Sequence, residues 1–449
     1  MSSRGQFSSR LGFIMAAAGA AVGLGNIWGF PTQVATNGGA AFVMVYLILT
    51  LILAYPVLMA EITIGRYAQA NMIEAMQIIA DNRTGKKLGK ASGWWGLGVV
   101  SLILSFYAIV AGWMIAHFFQ SLSLILGWSA IADWLVTFSI ARNIIFCIMF
   151  SLLTIYIVSR GVTNGIEKWS SRLMPVLLIL IVSMIIYVAT LEGASEGWRA
   201  YLVPDFSKIL QPNLLVSAMG QAFFSLSLGV GTMLIYGSYI SKKENLVSLG
   251  FSVALVDSGI AILAGMLIIP AMYVALHNGV TIFNEQGVLI DGDQLIFTVI
   301  PALFNAMGEV GHYVSAAFFL LMSIAALTSS ISMLEVPVAY SLESKGGSRS
   351  TRTIVIGLLI LLISIVVIFF FETLFGFVVK ITTVYSQPLI SLIMCIYVGW
   401  VWHRNKLLKE LQQGNESLES SLFWRVWPYY VKFICPIVIT LMFLQTARN

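Results

Sequence analysis

The groups in this chain that could do chemistry lie inside apolar runs, and most of them are oxygens. The stretch GAAVGLGNIWGFP, residues 19–31, carries four glycines, Asn26 and a proline within an otherwise apolar helix. Unwinding near Val22 and Leu24 would free backbone carbonyls to coordinate a hard cation. Bare backbone at membrane depth is tolerable only against protein or a cavity. The half-helix beginning near Gly25 would also aim amide hydrogens and a positive dipole end back at the break, which suits a carboxylate. Gly19 with Gly23, and Gly25 with Gly29, have the G-x-x-x-G spacing that lets helices pack closely. Packing alone accounts neither for Asn26, whose amide needs a partner in lipid, nor for a second glycine-interrupted stretch, SLSLGVG at 225–231.

Farther along, AALTSS places Ala325, Thr328 and Ser329 at i, i+3 and i+4, so one carbonyl and two hydroxyls share a helix face. Such hydroxyls often bond back to their own helix; opposite the carbonyls of a broken helix they would complete an all-oxygen cation site. Glu61 and Asp257 are acids in apolar surroundings, costly unless paired or functional. Tyr107 serves equally as packing or as a pocket hydroxyl, whereas Trp113 and His117 read as packing residues. Cys147, Cys395 and Cys435 show no paired spacing for a disulfide framework or a metal knuckle. No H-E-x-x-H or G-x-S-x-G constellation points to an enzyme, and no repeated filter or charged ring points to a channel.

The elements that must position these groups are membrane helices. Of 449 residues, 59% are hydrophobic and 10% charged, with mean hydropathy +0.90, values of an all-α polytopic membrane protein rather than a soluble domain. Runs of about 20 apolar residues fall at 10–36, 39–66, 93–127, 139–159, 165–190, 213–240, 246–276, 310–342, 353–371, 374–402 and 425–446, eleven spans in all. The polar, basic start MSSRGQFSSR is expected to be retained, since the following run lacks a cleavage site. With the N-terminus cytoplasmic, 19 of the 25 Lys and Arg fall inside, and the loop 277–312, which has none, falls outside. Residues 298–307 are apolar but too short to span and are expected to form a helix across the outer mouth. The two breaks open the first and sixth spans. Matched interruptions of this kind point to a 5+5 inverted repeat, 1–190 and 191–402, with its site at the breaks. A linker and an eleventh helix, 403–449, stand outside it.

SSRLGFIMAAAGAAVGLGN, NGGAAF, IGRY, GQAFFSLSLGVG, YGSYISK and ALTSSIS fall in an order covering nearly the whole chain. In this it resembles the bacterial branch of the neurotransmitter:sodium symporters, the LeuT-like sodium-coupled amino-acid transporters. The resemblance implies one sodium site from the Gly19, Val22 and Ala325 carbonyls with the Thr328 and Ser329 hydroxyls. It implies a second from the Ala21 carbonyl, the Asn26 side chain, Ser225 and a residue of span seven, shared with the substrate carboxylate. That carboxylate would meet the amides near Leu24 and Gly25 and the Tyr107 hydroxyl. Gly23 stands where amine transporters of the family carry an aspartate, which implies an amino-acid substrate. Ile103, Phe224, Ser227, Val230, Ser329 and Met333 would form a largely apolar side-chain pocket.

Departures from the family pattern carry further expectations. Span seven has no asparagine ligand; Asp257 lies at or beside that position, near residues matching Tyr46, Gln221 and Ser225. Chloride-independent members resemble one another in carrying such an acid, so Asp257 is expected to supply the charge that chloride supplies elsewhere. The arginine and acid that commonly close the outer gate are replaced by Gly29 and Val379, leaving apolar packing by Phe224 and Trp28. Arg4, Phe7, Ser238, Tyr239 and Glu343 resemble the cytoplasmic gate, and Gly165 with Pro175 match a spacing at which span five can unwind. The expected protein takes up a neutral, hydrophobic amino acid with one or two sodium ions across the cell inner membrane, uses no organic cofactor or nucleic acid, and works as a monomer. The alternatives are a transporter-like sensor or a carrier of a non-standard small carboxylate.

Overall fold

Hydropathy of this kind builds helices, because a backbone in lipid must satisfy its own hydrogen bonds. The computed structural model describes residues 5–282, 297 and 299–448. The polar residues bounding the apolar runs start the helices: the side chains of Ser9, Asn82, Ser139, Asn245, Ser348 and Ser421 each accept a bond from an N–H of the first turn.

Nine helices among the described residues are long and apolar enough to cross a membrane, and a bent pair makes a tenth. Span two is Ala40–Ala68, span three Arg83–Ile125, span four Ile140–Ser159, span five Val162–Ala189 and span seven Leu246–His277. Spans eight to eleven are Glu309–Lys345, Arg349–Phe369, Phe371–Val401 and Leu422–Gln445. Span one is the bent pair: Arg10–Ala21 and Gly25–Thr36 meet at 58°. The sixth run is divided into Pro212–Ser225 and Thr232–Gly237, each too short to cross alone. Both breaks fall where the glycine stretches placed them. Span three begins ten residues before its expected start, because the Asn82 cap lets the helix continue through the basic residues 83–90 beyond the apolar run. The short helix expected outside is Ile300–Ala306; residues 283–296 and 298 of that loop lie outside the described residues.

Spans three and eight form the middle, their most apolar windows 78% buried, whereas those of spans five, nine and eleven are 33%, 39% and 28% buried. The outer helices carry Ile179, Ile186, Leu362 and Leu441 on open faces, the surface that lipid would cover. Between spans ten and eleven the helix Arg404–Gln412 folds under the bundle. Its Glu410 meets Arg66 of span two at 2.7 Å and Lys242 at 2.8 Å. The three cysteines are free and buried.

Candidate functional site

Span one stops being helical at Val22, whose ψ of 104° turns the chain out of the helix. Ser329 of span eight donates across to the carbonyls freed there, 3.0 Å from Val22 O and 3.3 Å from Gly19 O. Thr328 instead turns back on its own helix, 3.0 Å from Ala325 O. The Thr328 side chain still touches span one: a Cβ on Gly19 would stand 3.1 Å from its Cβ. Three carbonyls and two hydroxyls thus gather in one buried place, a donor set suited to a small hard cation.

On the other side of the break, Asn26 is fully buried and joins three elements. Its Oδ1 accepts from Gly23 N at 3.3 Å, while Nδ2 donates to Ser225 at 2.8 Å and to the Asp257 carboxylate at 2.7 Å. Ser225 donates to the other Asp257 oxygen at 2.7 Å and accepts from the Tyr46 hydroxyl at 3.1 Å. Asp257, Asn26, Ser225 and Tyr46 are therefore one network. Gln221 is not part of it, because its amide turns away to the Gly25 carbonyl at 2.9 Å.

The second break holds its shape by strained backbone and by Glu61. Ser227, Gly229 and Gly231 all have positive φ, 52°, 76° and 82°, and a serine seldom adopts that conformation without a local reason. Ser227 Oγ donates to Ala20 O at 3.2 Å, and Glu61 of span two accepts from Gly229 N at 2.6 Å. The two breaks thereby face each other across a small cavity. Ala21, Gly23, Leu24, Gly25, Ile103, Tyr107, Phe224, Ser227, Val230, Ser329 and Met333 all line it, with Phe106 and Gln387, which the sequence did not single out. Ser225 does not; it stands behind the wall in the Asp257 network. At one end the Leu24 amide points at the Tyr107 hydroxyl, 3.3 Å away. A Cβ on Gly23 would come within 2.7 Å of the Tyr107 and Ser329 hydroxyls, so only glycine leaves this end open.

Outside the cavity, Leu24, Trp28, Gly29, Phe224, Phe375 and Val379 line a vestibule. Gly29 and Val379 share that vestibule without a charged group between them. Trp28 meets Phe297 edge-on at 6.0 Å, and Phe297 meets Trp113 at 5.4 Å, a run of aromatic contacts beside the vestibule. At the end of the bundle that holds the N-terminal segment, Phe7 packs edge-on against Tyr236 and Tyr239, and its N–H donates to Tyr239 O at 3.2 Å. Glu343 accepts two bonds from Asn71 at 2.8 Å, and the Ser238 hydroxyl donates to Ile235 O. Arg4 lies outside the described residues. Tyr239 donates to Glu335 at 2.6 Å, and Arg349 pairs with the other Glu335 oxygen. Neither Glu335 nor Arg349 was expected, although an acid in an apolar run is the signal that marked Glu61.

The geometry can be set beside known proteins. The family model of the sodium:neurotransmitter symporters matches residues 4–142 and 138–449. The chain belongs to the sodium:neurotransmitter symporter family. A sodium-dependent transporter of Bacillus subtilis, YhdH, is 33% identical over 98% of this chain and 97% of its own length. A sodium-dependent transporter of Haemophilus influenzae is also 33% identical, over 98% of each chain. The crystal structure of MhsT in complex with L-phenylalanine has a TM-score of 0.83 and 35% identity, covering 99% of this chain and all of that one. This symporter is thus a multi-pass, sodium-dependent membrane transporter with the fold of MhsT. Its family are not enzymes.

Proposed function

We propose that the chain imports a neutral amino acid with a large, mainly apolar side chain, driven by sodium and without chloride, by alternating access around the two breaks. The observation that carries this reading is the cavity between spans one and six. One end presents the Leu24 amide and the Tyr107 hydroxyl, and the rest is walled by Ile103, Phe224, Val230 and Met333. A carboxylate suits the first end and a large apolar group the second. MhsT, similar over the whole chain, was crystallised with L-phenylalanine.

In this reading sodium occupies the oxygens of Gly19, Val22, Ala325, Thr328 and Ser329, tying span one to span eight. A second ion takes Ala21, Asn26, Ser225 and Asp257, where it also meets the substrate carboxylate. Each solute then lowers the cost of burying the other. Asp257 supplies a fixed negative charge beside that ion, which is the ground for chloride independence. Spans one to five and six to ten act as two inverted halves, and the N-terminus and basic loops face the cytoplasm. Each sodium entering is driven by about 2.3 kcal/mol per 100 mV of membrane potential, and its concentration gradient adds to that.

Uptake into proteoliposomes with an imposed sodium gradient, screened over the amino acids, tests this. Concentrative uptake of a large neutral amino acid that stops when potassium replaces sodium is expected. Accumulation of none, or accumulation without sodium, sinks the proposal. Binding without turnover would favour a sensor.

A further inference from the structure

The cavity has one polar lining residue whose side chain bonds to no described residue. Tyr107 receives the Leu24 amide, Ser227 donates to Ala20 O, and Ser329 donates to Gly19 O and Val22 O. Gln387 of span ten is 4% exposed and lines both the cavity and a second cavity, bordered by Gln33, Gln221, Phe224 and Thr383, yet its amide makes no hydrogen bond to any described residue.

Its position is built rather than incidental. Wide turns run through Lys380–Ser386 and end at Gln387, with Pro388 next, and such turns inside helices gather at functional sites. Ser386 Oγ donates to Ile381 O at 2.8 Å, a bond five residues back. The Gln387 carbonyl is packed so closely on the second break that a Cβ on Gly229 would stand 2.1 Å from it. The residue is thus held beside Val230, in the wall of the side-chain pocket.

We propose that Gln387 determines which amino acid is carried, by hydrogen bonding to a polar group on the solute's side chain. This rests on the amino-acid reading of the cavity. An amide that lines a cavity without a bond to a described residue is available to the solute, and a site built to bond a hydroxyl rejects the analogue that lacks it more strongly than an apolar pocket rejects one that has it. The carboxylate end is already served by span one and Tyr107. The remaining polar contact therefore falls to the side chain, which must combine an apolar body with a hydrogen-bonding group. Tyrosine has that composition, and phenylalanine lacks only the hydroxyl.

The test is sodium-driven uptake of tyrosine and of phenylalanine by the full chain in proteoliposomes, for wild type, Gln387→Leu and Gln387→Met. Wild type is expected to favour tyrosine in kcat/KM, and both variants to lower the tyrosine-to-phenylalanine ratio about tenfold, the scale of one lost hydrogen bond. The ratio does not depend on how much of a variant folds, and two different apolar replacements separate the lost amide from altered packing. An unchanged ratio in both variants, or a wild type that favours phenylalanine, overturns the role of Gln387 and leaves the symport reading standing. Uptake of no amino acid by wild type overturns both.

Discussion

Thr328 and Ser329 are neighbours on one helix, yet they face different tasks. Ser329 bonds across to span one and Thr328 back to span eight, so removing the Thr328 hydroxyl breaks no hydrogen bond between spans. Thr328→Ala is therefore expected to leave expression and folding near wild type while raising the sodium concentration for half-maximal uptake about tenfold, since one oxygen of five is lost from a charged group. A sodium dependence matching wild type would remove Thr328 from the ion site. Asp257 permits a second residue-scale test. Wild-type uptake is expected to be indifferent to replacing chloride by gluconate, and Asp257→Asn to acquire a chloride requirement. A wild type that needs chloride, with a variant no more dependent on it, would refute the charge-substitution role. Asp257 was legible as an isolated acid in an apolar run, because an unpaired charge there is too costly to be accidental. Its partners were only partly legible: Gln221 was grouped with it and bonds instead to Gly25.

Among the elements, the N-terminal segment and span five are joined by a contact that the sequence did not disclose. Glu167, 5% exposed, accepts from Ser8 N at 2.8 Å, Ser8 Oγ at 2.7 Å and Ser9 Oγ at 3.2 Å. It does so where wide turns through Val162–Glu167 lead into the helix containing Pro175. Gly165 and Pro175 were recognised as a place where span five can loosen. Glu167, two residues beyond Gly165, ties that place to the peptide carrying Phe7. Glu167→Ala is expected to speed amide hydrogen exchange across residues 5–12 at least tenfold, about 1.4 kcal/mol of local opening. Exchange at the wild-type rate would show that the aromatic packing of Phe7 holds the segment by itself. The lengths of elements were less legible than their existence. Hydropathy marks where lipid begins, and the Asn82 cap lets span three continue well past it.

At the scale of the whole molecule, the oxygens proposed to hold sodium come from span one and span eight, which the chain separates by some three hundred residues. An ion placed there acts as a clasp between distant elements and should stabilise the fold as a whole. Anything that binds only the folded state adds about 2.7 kcal/mol at a hundred times its Kd. The unfolding temperature of the purified chain in detergent is accordingly expected to rise with sodium chloride at constant ionic strength and not with potassium chloride. Addition of the carried amino acid should raise it further only when sodium is present. Equal effects of the two salts would argue against a specific ion site.

The sequence by itself determined the membrane character and the two breaks, and its resemblance to the family implied most of the residues that line the cavity. The membrane character and the breaks depend on local causes: apolar run length, helix-breaking glycine, and polar atoms that lipid will not solvate. What only the tertiary structure decided is which polar groups have partners. It turned Thr328 inward and Ser329 across, took Gln221 out of the Asp257 network, paired Arg349 with Glu335, and left the amide of Gln387 beside the pocket without a bond to any described residue. A hydrogen bond is settled by a few tenths of an ångström between atoms far apart in the chain, and that is fixed only when the helices pack.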